Sequence, residues 1–264
     1  MSNEQNAPQQ GQQVISLQAI SQNFLGAAQR QFDLLAYNLA ASQQVEAEKY
    51  EAFARQVKIM PVQQLHQGFP QIHAYARALL FRQTLNDLAN MAAACMDSCH
   101  LLCFLVKNEK QLTADPDQGN KLILETREAM ARAPLQEKFE RFEKDFGIMS
   151  ETEDAVIAIA IALRVLVVRN GAVAEEDVND DGELVFEFKT VQTINPPKGV
   201  EKQPEVRIVD TRRAFRVGDH IELSNSEMLG LSVTVTAFFH NLFRAVDEFG
   251  RKILATRSEQ PPSS

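Results

Sequence analysis

The sequence predicts a mainly α-helical protein with a small antiparallel β insert (α+β), in which a long antiparallel helical hairpin and shorter helices pack as a bundle. Three observations support this prediction. Apolar residues recur at helical spacing through most of the chain, strand-like alternation is confined to a stretch near the C-terminus, and 45% of the 264 residues are hydrophobic. That hydrophobic fraction is typical of a globular chain.

Two long helices are predicted first. One extends from Val14 to about Ile59, and the second, roughly 71–111, follows a Pro/Gly-rich turn. The second helix has a heptad pattern like that of coiled coils. This heptad seam consists of Leu85, Leu88, Ala92, Cys95, Cys99, Leu102 and Val106. Long helices joined by a short turn are expected to pack antiparallel.

Shorter helices are predicted to follow the hairpin. One begins at Asp115-Pro116-Asp117, another contains Phe139 and Phe142, and a third covers the apolar run 155–168. Large and small residues alternate in that run, so a strand is the alternative. A capping box formed by Ser150 and Glu153 would favour the helix.

The C-terminal third changes character at Ala172. An acidic loop leads into short alternating runs that predict three or four antiparallel strands, ending near Ile221–Leu223. Residues 229–236 also alternate like a strand, although Ser224 and Glu227 could cap a helix there.

The whole pattern divides the chain into a disordered tail (1–13), a helical bundle (14–171), an acidic loop with a small antiparallel sheet (172–225), a C-terminal helix packing back on the bundle (226–256) and a second disordered tail (257–264).

The bulk composition narrows the possible partners and compartment. A net charge of −8 argues against duplex nucleic acid, which binds concentrated cationic surfaces. Three clustered cysteines do not form a disulfide framework and suggest a reducing compartment. The N-terminal residues lack a secretory signal pattern, and no uninterrupted apolar stretch reaches the roughly 18 residues of a membrane-spanning helix. We therefore expect a cytoplasmic protein with no membrane partner.

Two clusters of potential metal ligands fall on the second helix. Cys95 and Cys103 are eight residues apart, a helical rise of about 12 Å, which one zinc ion cannot bridge. Cys95 and Cys99 belong to the heptad seam, so we interpret the cysteines as core residues. Asp97 and His100 form half of the ligand set of a helical di-iron bundle, but the other half is missing.

The most specific local motif is an acidic loop at 177–182. Asp177, Asn179 and Asp181, followed by Gly182, resemble the start of a calcium-binding loop. The twelfth position, where a bidentate acid should close the site, is Phe188. A weak calcium site is one interpretation and a solvated acidic turn is the other. Calcium is the only cofactor that the sequence suggests.

No common catalytic motif occurs in the sequence, and basic residues such as Arg212, Arg213 and Arg216 are balanced by nearby acids. The leading hypothesis is therefore a non-enzymatic structural or assembly protein acting through helix–helix association, with itself or another helical protein as partner. The alternatives are a calcium-responsive binding module that uses 177–182 and a membrane-active helical bundle that exposes 155–168. An enzyme whose catalytic groups lie far apart in sequence remains possible.

Overall fold

The computed structural model describes residues 15–56, 68–194 and 205–258. Within them, seven α-helices and a two-stranded antiparallel sheet confirm the predicted fold class. The elements are α1 (Leu17–Gln44), α2 (Ala47–Gln56), α3 (Phe69–Ala114), α4 (Pro116–Arg132), α5 (Leu135–Phe146), α6 (Glu153–Arg169), β1 (Glu183–Ile194), β2 (Glu205–Arg216) and α7 (Asn225–Ser258). The predicted tail 1–13 lies outside the described residues. Of the second predicted tail, 257–264, the first two residues belong to α7, and residues 259–264 lie outside the described part of the chain.

The first predicted helix is divided in two. The Ser16 hydroxyl accepts a hydrogen bond from the Ala19 N–H (3.2 Å) and begins α1, but the backbone is extended at Val45 before α2 starts. No residue from 40 to 46 is buried, so no packing holds this turn in helical form. The expectation of one continuous helix was wrong here, and its last three residues, 57–59, lie outside the described part of the chain.

Helix α3 supplies a large part of the hydrophobic core. It packs against α1, α4, α6 and α7, and more lightly against α5. The end of α1 meets the start of α3, where the His73 ring Nε2 lies 3.2 Å from the Ser42 carbonyl oxygen. The two helices therefore form the predicted antiparallel hairpin, and the shorter helices complete the bundle around α3.

The apolar run 155–168 is helical, as α6. Val156, Ile159, Ala162 and Val165 are fully buried, and α6 packs mainly against α3. The predicted capping box is absent, because the Ser150 hydroxyl accepts from the Thr152 N–H and not from Glu153. Asn170, at φ 52°, ends the helix in the left-handed region.

The described insert has two long strands, where three or four short ones were predicted. β1 and β2 pair antiparallel with Leu184 opposite Phe215 and Ile194 opposite Glu205. The runs around Val206 and Phe215 belong to one strand, because the polar segment between them continues the ladder. Ile221–Leu223 is not a strand and follows an isolated bridge between Ala172 and His220.

Helix α7 includes the ambiguous residues 229–236. Its start has a true capping box, in which the Ser224 N–H donates to Glu227 (2.7 Å) and the Glu227 N–H donates to the Ser224 hydroxyl (3.3 Å). Strand β1 packs directly on the next turn of the helix. A Cβ at Gly230 would lie 2.7 Å from the Lys189 carbonyl oxygen, so only glycine permits this approach.

Candidate interaction surface

The heptad seam of α3 faces the interior of its own chain. Five of its members, from Leu85 to Cys99, are at most 1% exposed, and Leu102 and Val106 at its end are half-buried. Neighbouring helices of the same chain therefore cover most of the seam. An association surface has to be sought elsewhere on the molecule.

The three cysteines lie in this core as free thiols. Burial, with some contribution from Cys99, raises the pKa of Cys103 to about 12, and burial together with Cys99 raises the pKa of Cys95 as well. Thiols held protonated are poor metal ligands and nucleophiles. No cluster of three or more His, Cys, Asp or Glu that could hold a metal occurs in the described ranges. This agrees with the interpretation of the cysteines as core residues.

The acidic loop 177–182 uses its oxygens to hold itself in place. The side chain of Asp177 is fully buried, with one carboxylate oxygen 2.9 Å from the Arg164 guanidinium and the other bonded to Arg169 and to the Ala174 N–H. The Asn179 amide oxygen accepts from the backbone N–H groups of Asp181, in the loop, and Glu183, at the start of β1. The oxygens of Asp177 and Asn179 are thus engaged within the chain, and the geometry does not gather Asp177, Asn179 and Asp181 around a cation.

The environment of Asp177 makes it a structural link. Burial alone would raise its pKa, but hydrogen bonds from Ala174, Arg164 and Arg169 outweigh burial and lower it. The charged carboxylate therefore ties the loop to α6. In the sequence, the signal for this link is Arg164, the lone arginine inside the apolar run. A single charged residue in such a run indicates a carboxylate partner elsewhere in the chain.

Asp97 and His100 have different partners. Asp97 pairs with the buried Lys138 of α5, whereas the His100 Nε2 lies 3.4 Å from Asp145. His100 is almost fully buried between the rings of Phe142 and Phe146. Burial lowers its pKa in spite of the neighbouring Asp145 carboxylate, and its Nδ1 atom has no hydrogen-bond partner among the described residues. The two residues do not form a joint metal site.

The remaining features of the sequence also have partners within the chain. Arg212 and Arg216 pair with Glu183, and Arg213 pairs with Glu227, so each arginine of the basic cluster has a carboxylate partner. By length and composition, two of the described helices, α3 and α7, could cross a membrane. Long core helices of soluble proteins meet the same criterion, so it assigns no membrane role.

The start of α3 and the short helix α2 form a projection with almost no core. We call α2 together with residues 69–80 of α3 the helical arm. None of its residues is buried, although Phe53 (62% exposed) and Leu79 (45% exposed) are large and apolar. Its two helices touch through the rings of Tyr50 and Phe69. Leu34 and Tyr37 are likewise exposed on the neighbouring α1.

The far half of the β hairpin is a second projection. Leu184, Phe186 and Phe188 are buried, but Val191, Ile194, Val206 and Ile208 are each 44–63% exposed. Three or four short strands were predicted here, and the length of β2 was not, because the middle of this strand is polar. Against known proteins, the chain matches no family model, no curated protein and no solved structure.

Proposed function

We propose that this protein is a non-enzymatic assembly protein that associates through helices, and that the helical arm is the surface it uses. One observation carries the proposal. In the arm, no side chain of the two helices is fully buried, and the apolar side chains of Phe53 and Leu79 are 62% and 45% exposed. The heptad seam, by contrast, is already occupied by neighbouring helices.

The physical argument concerns helix stability. An isolated helix of about 12 residues is marginal in water, and most helices in proteins are stabilised by packing an apolar face. Helix α2 has 10 residues, and a partner helix would provide the packing that it lacks within the chain. Exposed apolar residues on neighbouring helices mark such association sites.

The partner proposed is a second copy of the chain. A two-fold pairing of arms sets α2 of one copy beside the start of α3 of the other, so that the exposed apolar side chains of each arm cover those of its mate. Another helical protein with the same pattern is the alternative partner.

The other proposed properties follow from the same residues. Buried free thiols suit a reducing compartment, so we place the protein in the cytoplasm. The calcium-responsive alternative loses support because Asp177 is held by two arginines. The membrane-active alternative requires α6 to leave its packing against α3, and no specific contact favours that.

Analytical ultracentrifugation of the full chain tests the proposal. We expect the wild-type protein to be an oligomer at tens of micromolar, and Phe53→Glu with Leu79→Glu to lower its mass. Leu124→Glu is the matched control, because Leu124 is comparably exposed on α4, away from the arm. Circular dichroism should show unchanged helix content in both variants. A monomeric wild-type protein, or an arm variant with unchanged mass, would contradict the proposed role of the arm.

A further inference from the structure

The outer edge of β2 presents a row of backbone groups for which the described residues provide no strand partner. Two hydrogen bonds identify those groups. The Lys189 N–H donates to Thr234 Oγ1 (2.8 Å), away from β2, and the Arg216 N–H donates to Asp219 Oδ2 (2.7 Å), away from β1. Lys189 is paired with Asp210, and backbone groups alternate along a strand. The even-numbered residues of β2 therefore direct their N–H and C=O groups outward.

This edge is also accessible. Helices α6 and α7 pack against β1, while β2 is held chiefly by β1. Of the twelve residues of β2, only Phe215 is buried. An open strand edge is a template for another strand, and charged side chains are the usual protection against indiscriminate pairing. β2 has six such side chains, and their order decides which pairing is permitted.

A second copy of β2 offers the same edge, and symmetry restricts how the two can meet. In an antiparallel pair, residues directly opposite each other point to the same face of the sheet. A two-fold axis perpendicular to the sheet preserves this only if it lies between one residue and the same residue of the second copy. An axis at Arg207, Asp210, Arg212 or Arg213 would place like charges opposite each other. Axes at Ile208, Val209 and Thr211 avoid like charges, and of these the axis at Thr211 lies nearest the middle of β2 and pairs the longest stretch of the strand.

The register about Thr211 is complementary in both charge and apolar surface. Asp210 of one copy faces Arg212 of the second copy. Together with their neighbours in β1, these residues form a row across the four strands in which the charges alternate in sign, Glu187–Arg212–Asp210–Lys189. Within its own chain, Glu187 has no ion-pair partner among the described residues, whereas Lys189 and Asp210 already pair at 2.7 Å. The next row is apolar and consists of Val185, Ala214, Ile208 and Val191. It would cover Ile208, which is 62% exposed.

We propose that β2 pairs antiparallel with β2 of a second copy about a two-fold axis at Thr211, forming a continuous four-stranded sheet. Asp210, Arg212, Ile208 and Ala214 form the contacts across the axis. The four backbone pairs they make exchange about eight hydrogen bonds. This interface is separate from the helical arm and does not depend on it.

Disulfide trapping tests the register. In the proposed sheet, Thr211 faces its own symmetry mate at a Cα separation of about 4.5 Å, within disulfide range. Thr211→Cys should therefore form a covalent dimer under mild oxidation, since the three native cysteines are buried. Ala214→Cys alone is the matched control, because the two copies of residue 214 would lie about 20 Å apart. Mixing Ile208→Cys with Ala214→Cys should yield the mixed dimer.

A charge swap provides the second measurement. Asp210→Arg should weaken dimerisation about tenfold, corresponding to about 1.4 kcal/mol, because it faces Arg212 of the second copy. Adding Arg212→Glu restores opposite charges across the axis. It does not restore the ion pairs within one chain, Asp210 with Lys189 and Arg212 with Glu183. Recovery of the dimer in the double variant therefore supports the interface between copies. No covalent dimer at position 211, equal trapping at 214, or no recovery in the double variant would overturn the proposal. The arm variant should leave these results unchanged.

Discussion

The two parts of helix α3 differ in one respect that separates core from candidate surface. Residues 81–103 bury ten side chains in contact with neighbouring helices, whereas residues 69–80 bury none. Both parts have aromatic and aliphatic residues, so composition does not distinguish them. The difference is that helices of the same chain surround the first part, whereas the second part meets α1 and the start of α7 only through the polar contacts of His73 and Arg77 and otherwise lies beside α2. A heptad pattern therefore marks where a helix packs without revealing whose helix it packs against.

The β hairpin repeats this contrast on a smaller scale. Its near half lies on α7 through Phe186 and Phe188, and its far half exposes aliphatic residues. The chain thus has two projections of different chemistry, one helical and one extended. Two separate self-complementary surfaces on one chain alternate along an assembly, which closes into a ring or grows as a filament. The solution mass of the wild-type protein distinguishes these cases, because a ring has one fixed mass and the mass of a filament rises with concentration.

The largest expected effect is at the buried part of α3. Leu88→Ala should lower the free energy of unfolding by about 2–5 kcal/mol, because it leaves a cavity in a packed core. Leu79→Ala in the helical arm should change it by less than about 0.5 kcal/mol. Urea denaturation followed by circular dichroism measures both. Similar losses in the two variants would abolish the distinction between core and arm.

The next effect concerns Asp177, which joins the acidic loop to α6. Asp177→Asn keeps the shape but removes the charge, and should lower the free energy of unfolding by about 1–3 kcal/mol. The neighbouring Asp181→Asn, on an exposed side chain, is the matched control and should have little effect. Because the folded pKa of Asp177 lies below its ordinary 3.8, its contribution is present above pH 3.8 and is lost as the pH falls further. Equal stabilities of the two variants would refute the structural role of this carboxylate.

Gly230 sharpens the comparison between the near and far halves of the hairpin. Gly230→Ala should destabilise the protein by about 1–3 kcal/mol, because its Cβ would collide with the Lys189 carbonyl oxygen of β1. Gly250→Ala, in open space on the same helix, should be neutral or slightly stabilising. Thermal unfolding compares the two. Hydrogen exchange should locate the disturbance at residues 186–190, and an undisturbed β1 would show that the hairpin does not rest on this turn of α7.

Most of the helices could be predicted from the sequence because their patterns are local, whereas the break between α1 and α2 could not. The heptad spacing from Leu85 onward and the Ser224–Glu227 cap depend on residues three or four positions apart. The candidate surfaces could not be predicted in this way. Whether Phe53 is exposed depends on which distant helices cover α2, and the partners of Asp97 and His100 lie 41 and 45 residues away. The length of β2 could not be predicted because its middle residues face solvent. Such a segment lacks the alternation of apolar and polar residues from which strands are recognised.

The smallest expected effect is a pH dependence from His100 in the core-facing part of α3. Burial lowers its folded pKa below the ordinary 6.5, so the unfolded chain binds the proton more readily. Stability should be greatest above pH 6.5 and should decline as the pH falls below it. The charged groups around the ring are Asp145 and Arg141 on α5, with Asp97 on α3, and the two carboxylates moderate the decline.

Urea midpoints at pH 7.5 and 5.5 measure this contribution. His100→Gln should lose less stability between the two pH values than the wild-type protein does, because the variant has no buried imidazole to protonate on unfolding. His240→Gln on the exposed face of α7 should retain the wild-type pH dependence. If His100→Gln and the wild-type protein lose the same stability, His100 does not contribute to the acid sensitivity of the core. The pH response between 7.5 and 5.5 then has to come from groups other than His100 that titrate in this range.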